Sequence, residues 1–226
     1  MSDAVTIAAL AGLAGLLALD ATAAFQVMVS QPIVAGALAG AVCGDAFAGV
    51  LVGAALQLVW LGALPVGAAG FPDAPVGTVV GVGLASLLAH SGTGAGWSVA
   101  FGMTAALVAA EAGRSVVSRL RRMNVRLAEG AVARARSGDP SGVSAAVWLG
   151  LASRFVAAAG LAAVALTVAY VGLRALPLGE VRGGFPALIW AAPIAAAVVA
   201  VRSRQALERA LIAAGFLAGL LFVIGR

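Results

Sequence analysis

The chain has 226 residues, 62% hydrophobic and 10% charged, with a mean hydropathy of +1.08. Soluble domains carry roughly a quarter of their residues charged, so the composition excludes a water-soluble enzyme and predicts an integral membrane protein. The formal charge of +5 is unevenly placed, because residues 1–113 hold five acids and no base whereas residues 114–226 hold all fourteen Arg and four acids.

The first apolar segment, 5–19, lies between Asp3 and Asp20 and lacks the basic start of a signal peptide. It reads as a retained, packed helix. Asp20 is either an interfacial end residue or part of a site, and Gln26 follows it in a Thr/Ala-rich stretch that is helical or partly unwound. Segments 33–43 and 46–56 are apolar runs of eleven residues each. As helices they reach about 16 Å, against roughly 30 Å of hydrocarbon. They meet at Gly44-Asp45, so either a re-entrant hairpin turns there or one span carries a carboxylate at membrane depth. The spacing Gly36, Gly40, Gly44, then Gly49 and Gly53, suits close helix contact in a chain with 30 Gly and 6% aromatics. Cys43, the one cysteine, allows no disulfide within the chain and reads as a small buried hydrophobe.

Gln57 comes next, then a stretch with Pro65, Gly67, Gly70, Pro72, Asp73, Pro75 and Gly77 that is almost without charge. Irregular backbone of this composition at membrane depth is expected where it packs in protein or lines a wet cavity, the alternative being a short surface turn. Segments 76–90 and 97–113 are two further helices, with His90 at a helix end facing water. Seven Arg lie within 114–142, an amphipathic segment ended by Gly138-Asp139-Pro140. The excess of positive charge places it in the cytoplasm, and the absence of interleaved aromatics excludes a nucleic-acid partner. Segment 145–171 then crosses outward, 174–184 is an outer loop, 185–201 returns, Arg202, Arg204 and Arg209 mark a second cytoplasmic turn, and 211–224 is a last apolar segment. Arg154 either snorkels to the interface near Trp148 or is a buried structural or substrate-facing charge.

The expected fold is an all-α integral membrane protein, a polytopic helix bundle with re-entrant or broken helices. Its parts are a hydrophobic core with hairpin at 1–113, the Arg-rich segment at 114–142 and carboxy-terminal helices at 143–226. There is no phosphate loop, no metal-ligand spacing and no nucleophile beside a base, so no catalytic residue, cofactor or metal is assigned. The polar residues of the Arg-free part, Gln57, Asp73, Gln26 and Asp45, are the candidate substrate-binding set. Between them, carboxylates and amides can use both the donor and the acceptor side of a hydroxyl.

The run QPIVAGALAGAVCGDAFAGVLVGAALQLVWLG, followed by PVGAAGFPDAPVGT, resembles the permease subunit IIC of the mannose/fructose/sorbose family of the phosphoenolpyruvate-dependent phosphotransferase system. The likeness is dense over 17–95 and includes the Pro, the Gly-Asp pair, Gln57 and Pro72-Asp73. Arg154 matches an Arg of a later family helix, whereas Gln31 stands where a basic residue is common, the Pro after that Arg is absent, and the carboxy-terminal end is short. The resemblance implies a multi-pass protein of the bacterial inner membrane that translocates a hexose or amino sugar with a IID membrane subunit in an oligomeric complex. IIA and IIB subunits would carry the phosphate. The alternative is a non-transporting regulatory or scaffolding relative that keeps the fold.

Overall fold

A computed structural model describes residues 2–61 and 70–174. These form six helices: α1 Asp3–Thr22, α2 Pro32–Cys43, α3 Ala46–Trp60, α4 Ala74–His90, α5 Ala95–Arg136 and α6 Ser141–Leu173. By length and composition α1, α5 and α6 are able to cross a membrane, and α2, α3 and α4 are shorter apolar helices. The protein is an all-α polytopic bundle with a broken element, as the composition predicts. The Pro/Gly residues at 65 and 67, most of the 174–184 loop, the return segment 185–201, the second Arg turn and segment 211–224 lie outside the described residues.

The break at Gly44-Asp45 follows from local chemistry. Pro32 opens α2 at a position where its missing N–H costs nothing. Gly44 then adopts φ +92°, and the Asp45 N–H donates to the Gly40 carbonyl at 2.8 Å, which closes the helix. Asp45 restarts the chain by accepting the Ala48 N–H at 2.9 Å. The result is an antiparallel helical hairpin of two half-length members, not a single span. Glycines form its seam. A Cβ added to Gly36 would strike the Gly49 carbonyl and lie 2.8 Å from the Gly53 Cα, and one on Gly49 would lie 2.8 Å from the Gly40 Cα. Lipid provides no hydrophobic drive between helices, so this backbone-on-backbone approach is what holds the two together.

The bundle is arranged around α4, which is buried along nearly its whole length. Gly77 and Gly81 let α5 approach it, Gly102 returns the contact from α5, and Gly83 receives the Leu10 side chain of α1. Leu10, Leu56, Leu84, Leu88, Leu107 and Leu166 fill the space between them, all essentially buried. The two ends of α1 are fastened to α6. The Tyr170 hydroxyl donates to the Asp3 carboxylate at 2.8 Å, and the Arg154 Nε donates to the Thr22 hydroxyl at 3.3 Å. With twenty residues α1 is about 30 Å long, the thickness of the hydrocarbon.

α5 is one helix through Gly113-Arg114, although its sequence changes there from apolar to Arg-rich. Arg and Ala are strong helix formers and no proline intervenes, so the change of composition does not end the helix. Beyond Arg114 it pairs with the start of α6 in a projecting antiparallel arm. Contacts along the arm fix its register, with Gly150 against Asn124 and Gly142 against Arg134. Asp139 turns the arm by accepting from the Ser141 hydroxyl at 2.6 Å and the Ser141 N–H at 3.0 Å, and those bonds hold its carboxyl below the usual range.

Candidate functional site

The polar residues of the Arg-free part are distributed over two ends of the bundle. Asp73 immediately precedes α4, where a carboxylate ordinarily caps the first turn. It makes no such bond. Both of its oxygens accept instead from Arg154, with Nη1 to Oδ2 at 2.8 Å and Nη2 to Oδ1 at 3.0 Å, and its N–H donates to the Ala110 carbonyl at 2.9 Å. The pair is a bidentate fork. Asp73 is 3% exposed and Arg154 6%. Arg154 is therefore a buried structural charge and not a snorkelling one. With Thr22 on its Nε, it joins the end of α1, the start of α4 and the middle of α6 at one level.

Gln57 lies one turn before Trp60 on α3, and the Trp60 ring rests against Gly77, one turn beyond Asp73. Its Nε2 donates to the Gln31 Oε1 at 3.0 Å. Its own Oε1 is buried and has no hydrogen-bond partner among the described residues. An unmet acceptor in apolar surroundings costs about 1–3 kcal/mol, which makes Gln57 the candidate residue with a free bonding function aimed inward. Gln26 is exposed in the 23–31 loop and lines a cavity of about 730 Å³ together with Thr22, Phe71, Asn124 and Arg154. The loop is strained, since Phe25, Gln26 and Met28 have φ of 68°, 53° and 67°. Asp20 holds it by accepting the Val27 N–H at 2.8 Å and the Ser30 N–H at 3.0 Å.

Gln57, Asp73 and Gln26 thus occupy the end of the bundle where the 23–31 loop leads into the hairpin. Asp45 does not join them. It is exposed at the hairpin tip, about 18 Å from Gln57 along α3. His90 is likewise exposed at the close of α4, with Nδ1 2.7 Å from the Ser86 carbonyl. Sequence reasoning missed the partners, namely Arg154 for Asp73, Gln31 for Gln57 and two backbone amides for Asp20. The one available signal was an Arg and an Asp each stranded in apolar sequence, which in a membrane calls for pairing.

The fold and these buried polar groups define a multi-pass membrane protein with a helical hairpin opening next to a buried ion pair. Comparison with known proteins gives its family. The family model described as the PTS system sorbose-specific IIC component matches residues 4–176. The putative N-acetylgalactosamine permease IIC component 2 of Escherichia coli K12 is 44% identical over 55 residues, 24% of this chain and 41% of that protein. The PTS system mannose-specific EIIC component of the same strain is 30% identical over 139 residues, 62% of this chain and 48% of that protein. The chain thus spans just under half the length of these curated relatives. A cryo-EM structure of the mannose transporter ManYZ in complex with microcin E492 aligns with a TM-score of 0.58 at 20% identity, over the whole of this chain and 92% of that one. A second structure, of a membrane protein, aligns at 0.62 and 22%, again over the whole of this chain and 93% of that one. These two share the fold. The chain belongs to the mannose/sorbose family of phosphotransferase-system IIC permease components.

Proposed function

We propose that the chain is the IIC permease subunit of a phosphoenolpyruvate-dependent phosphotransferase system, translocating a hexose or amino sugar across the bacterial inner membrane together with a IID subunit. Family membership supports the transport role, and the curated relatives, a mannose-specific and a putative N-acetylgalactosamine permease component, support the sugar class. The similarity to a two-subunit mannose transporter supports the IID partnership within an oligomeric complex. Phosphate transfer to the sugar falls to IIA and IIB subunits.

The observation that carries the placement of the sugar is the unmet Gln57 Oε1. A sugar hydroxyl donating to it removes the cost of the orphan acceptor, and the Gln57 amide offers donors to the same ring. Gln26 lies at the same end, where Asp73 holds Arg154 in place, and Asp45, about 18 Å away at the hairpin tip, is left out of this placement. Gln57→Ala is expected to weaken hexose binding by the complex with IID about tenfold, the scale of one or two hydrogen bonds in a dry site. Isothermal titration of the purified complex checks this, and an affinity within twofold of the parent would move the site to the partner subunit.

Segment 114–142 lies in the cytoplasm on this reading, because it holds seven Arg against two in 174–184. In a Cys43→Ser background, Ser137→Cys is expected to resist an impermeant thiol reagent in intact cells and to react in inverted vesicles. The reverse labelling pattern would invert the topology.

A further inference from the structure

Gln31 and Gln57 meet across the open end of the hairpin, where the backbone holds both in place. Pro32 stiffens the chain directly after Gln31, and the Gln31 carbonyl accepts the Val34 and Ala35 N–H groups at 2.9 and 2.8 Å. Gly53, one turn before Gln57 on α3, lies so near α2 that a Cβ on it would strike the Pro32 carbonyl. Gln31 stands at the position that caps α2, yet its side chain makes no capping bond. It reaches across the hairpin instead, and its Oε1 accepts the Gln57 Nε2–H at 3.0 Å.

That bond sets a polarity. A glutamine carboxamide carries an acceptor on one side and two donors on the other, so a Gln57 that gives its nitrogen to Gln31 turns its Oε1 away from Gln31. This is the buried oxygen that has no partner. A group at position 31 that can only donate would take the Gln57 Oε1 for itself and leave the Nε2–H groups facing inward. The residue at 31 therefore decides whether Gln57 asks a ligand for a donor or for an acceptor. Both glutamines are neutral, Asp73 is matched by Arg154, and Asp20 is engaged by the Val27 and Ser30 amides. Selection here falls on hydrogen bonding and not on charge.

We infer that Gln31 is a positioning residue of the sugar site, holding Gln57 as an acceptor so that the site selects a neutral sugar with a hydroxyl that donates to the Gln57 Oε1. The inference rests on the placement of the sugar at Gln57. To test it, mannose and N-acetylgalactosamine are titrated into the purified complex of this chain with IID, with thermal melts to check that each variant is folded. Gln31→Lys is expected to weaken binding of the sugar that the parent takes about tenfold, as Gln57→Ala does. Gln31→Glu keeps the acceptor and is expected to bind at least roughly threefold more tightly than Gln31→Lys. Adding Gln57→Glu to Gln31→Lys should restore most of the loss, because one carboxylate oxygen meets the lysine and the other the ligand, a recovery that a merely structural role for Gln31 would not give. Among analogues with each hydroxyl in turn replaced by fluorine, which cannot donate, one should lose about tenfold against the parent and lose nothing further against Gln57→Ala. If Gln57→Ala binds like the parent, or the parent binds neither sugar, the site itself is misplaced and the inference falls with it. If Gln57→Ala binds weakly but Gln31→Lys binds like the parent or better than Gln31→Glu, the sugar sits at Gln57 and the inference alone is overturned. The absence of any fluorinated analogue with that pattern overturns it as well, whichever Gln31 variants fold.

Discussion

Arg154→Met is expected to destabilise the protein by about 3–5 kcal/mol, because it strands the buried Asp73 carboxylate without the cation it pairs with. Asp73→Asn alone strands the guanidinium and is expected to cost a similar amount. The two losses should not add. Once the charge of one partner is gone, keeping the other is the larger burden, so Asp73→Asn/Arg154→Met is expected to recover at least about 2 kcal/mol relative to the sum of the single variants. Unfolding of the four proteins in mixed micelles measures this as a double-mutant cycle. Additive losses would mean that the two side chains act independently and that the fork does not join α4 to α6.

The second large effect concerns the hairpin seam. Gly36→Val and Gly49→Val place branched side chains against backbone that already sits 2.8 Å from a Cβ, so each is expected to cost at least the 3 kcal/mol at the upper end of ordinary overpacking. Neighbouring atoms are main-chain carbonyls and Cα atoms, which cannot rotate aside. Gly12 supplies the contrast, since nothing lies within 4 Å of its Cβ position in α1. There Gly12→Ala is expected to stabilise by about 0.5–1 kcal/mol through helix propensity alone. Thermal melts in detergent distinguish the cases, and equal effects at Gly36 and Gly12 would contradict a glycine-built seam.

Much of the fold is legible in the sequence because membrane helices announce themselves by composition and length. Segment 5–19 became Asp3–Thr22, and the Gly44-Asp45 pair marked a break that left a hairpin and a single span open, which the left-handed glycine and the capping carboxylate resolve as a hairpin. The length of α5 was not legible. Hydropathy registers where the apolar run stops, but helix continuity through Arg114 depends on local propensity, and the two criteria part company there. The site was only partly readable for a different reason. A polar residue in apolar sequence signals that it needs a partner without saying which, and the partner of Asp73 stands 81 positions away. The same limit left Asp20 divided between an interfacial end and a site. Its carboxylate faces inward to hold a loop in which three non-glycine residues adopt left-handed backbone.

The central claim is that this chain helps to carry sugar across a membrane, and uptake tests it most directly. In cells lacking their own mannose-family transporters, the chain co-expressed with IIA, IIB and IID subunits is expected to support accumulation of labelled hexose or amino sugar as the phosphate ester. Gln57→Ala should reduce that accumulation by about tenfold. If the subunits assemble in the membrane, and cells containing this chain accumulate no more labelled sugar than cells without it, the permease reading is contradicted and the fold serves a non-transporting role.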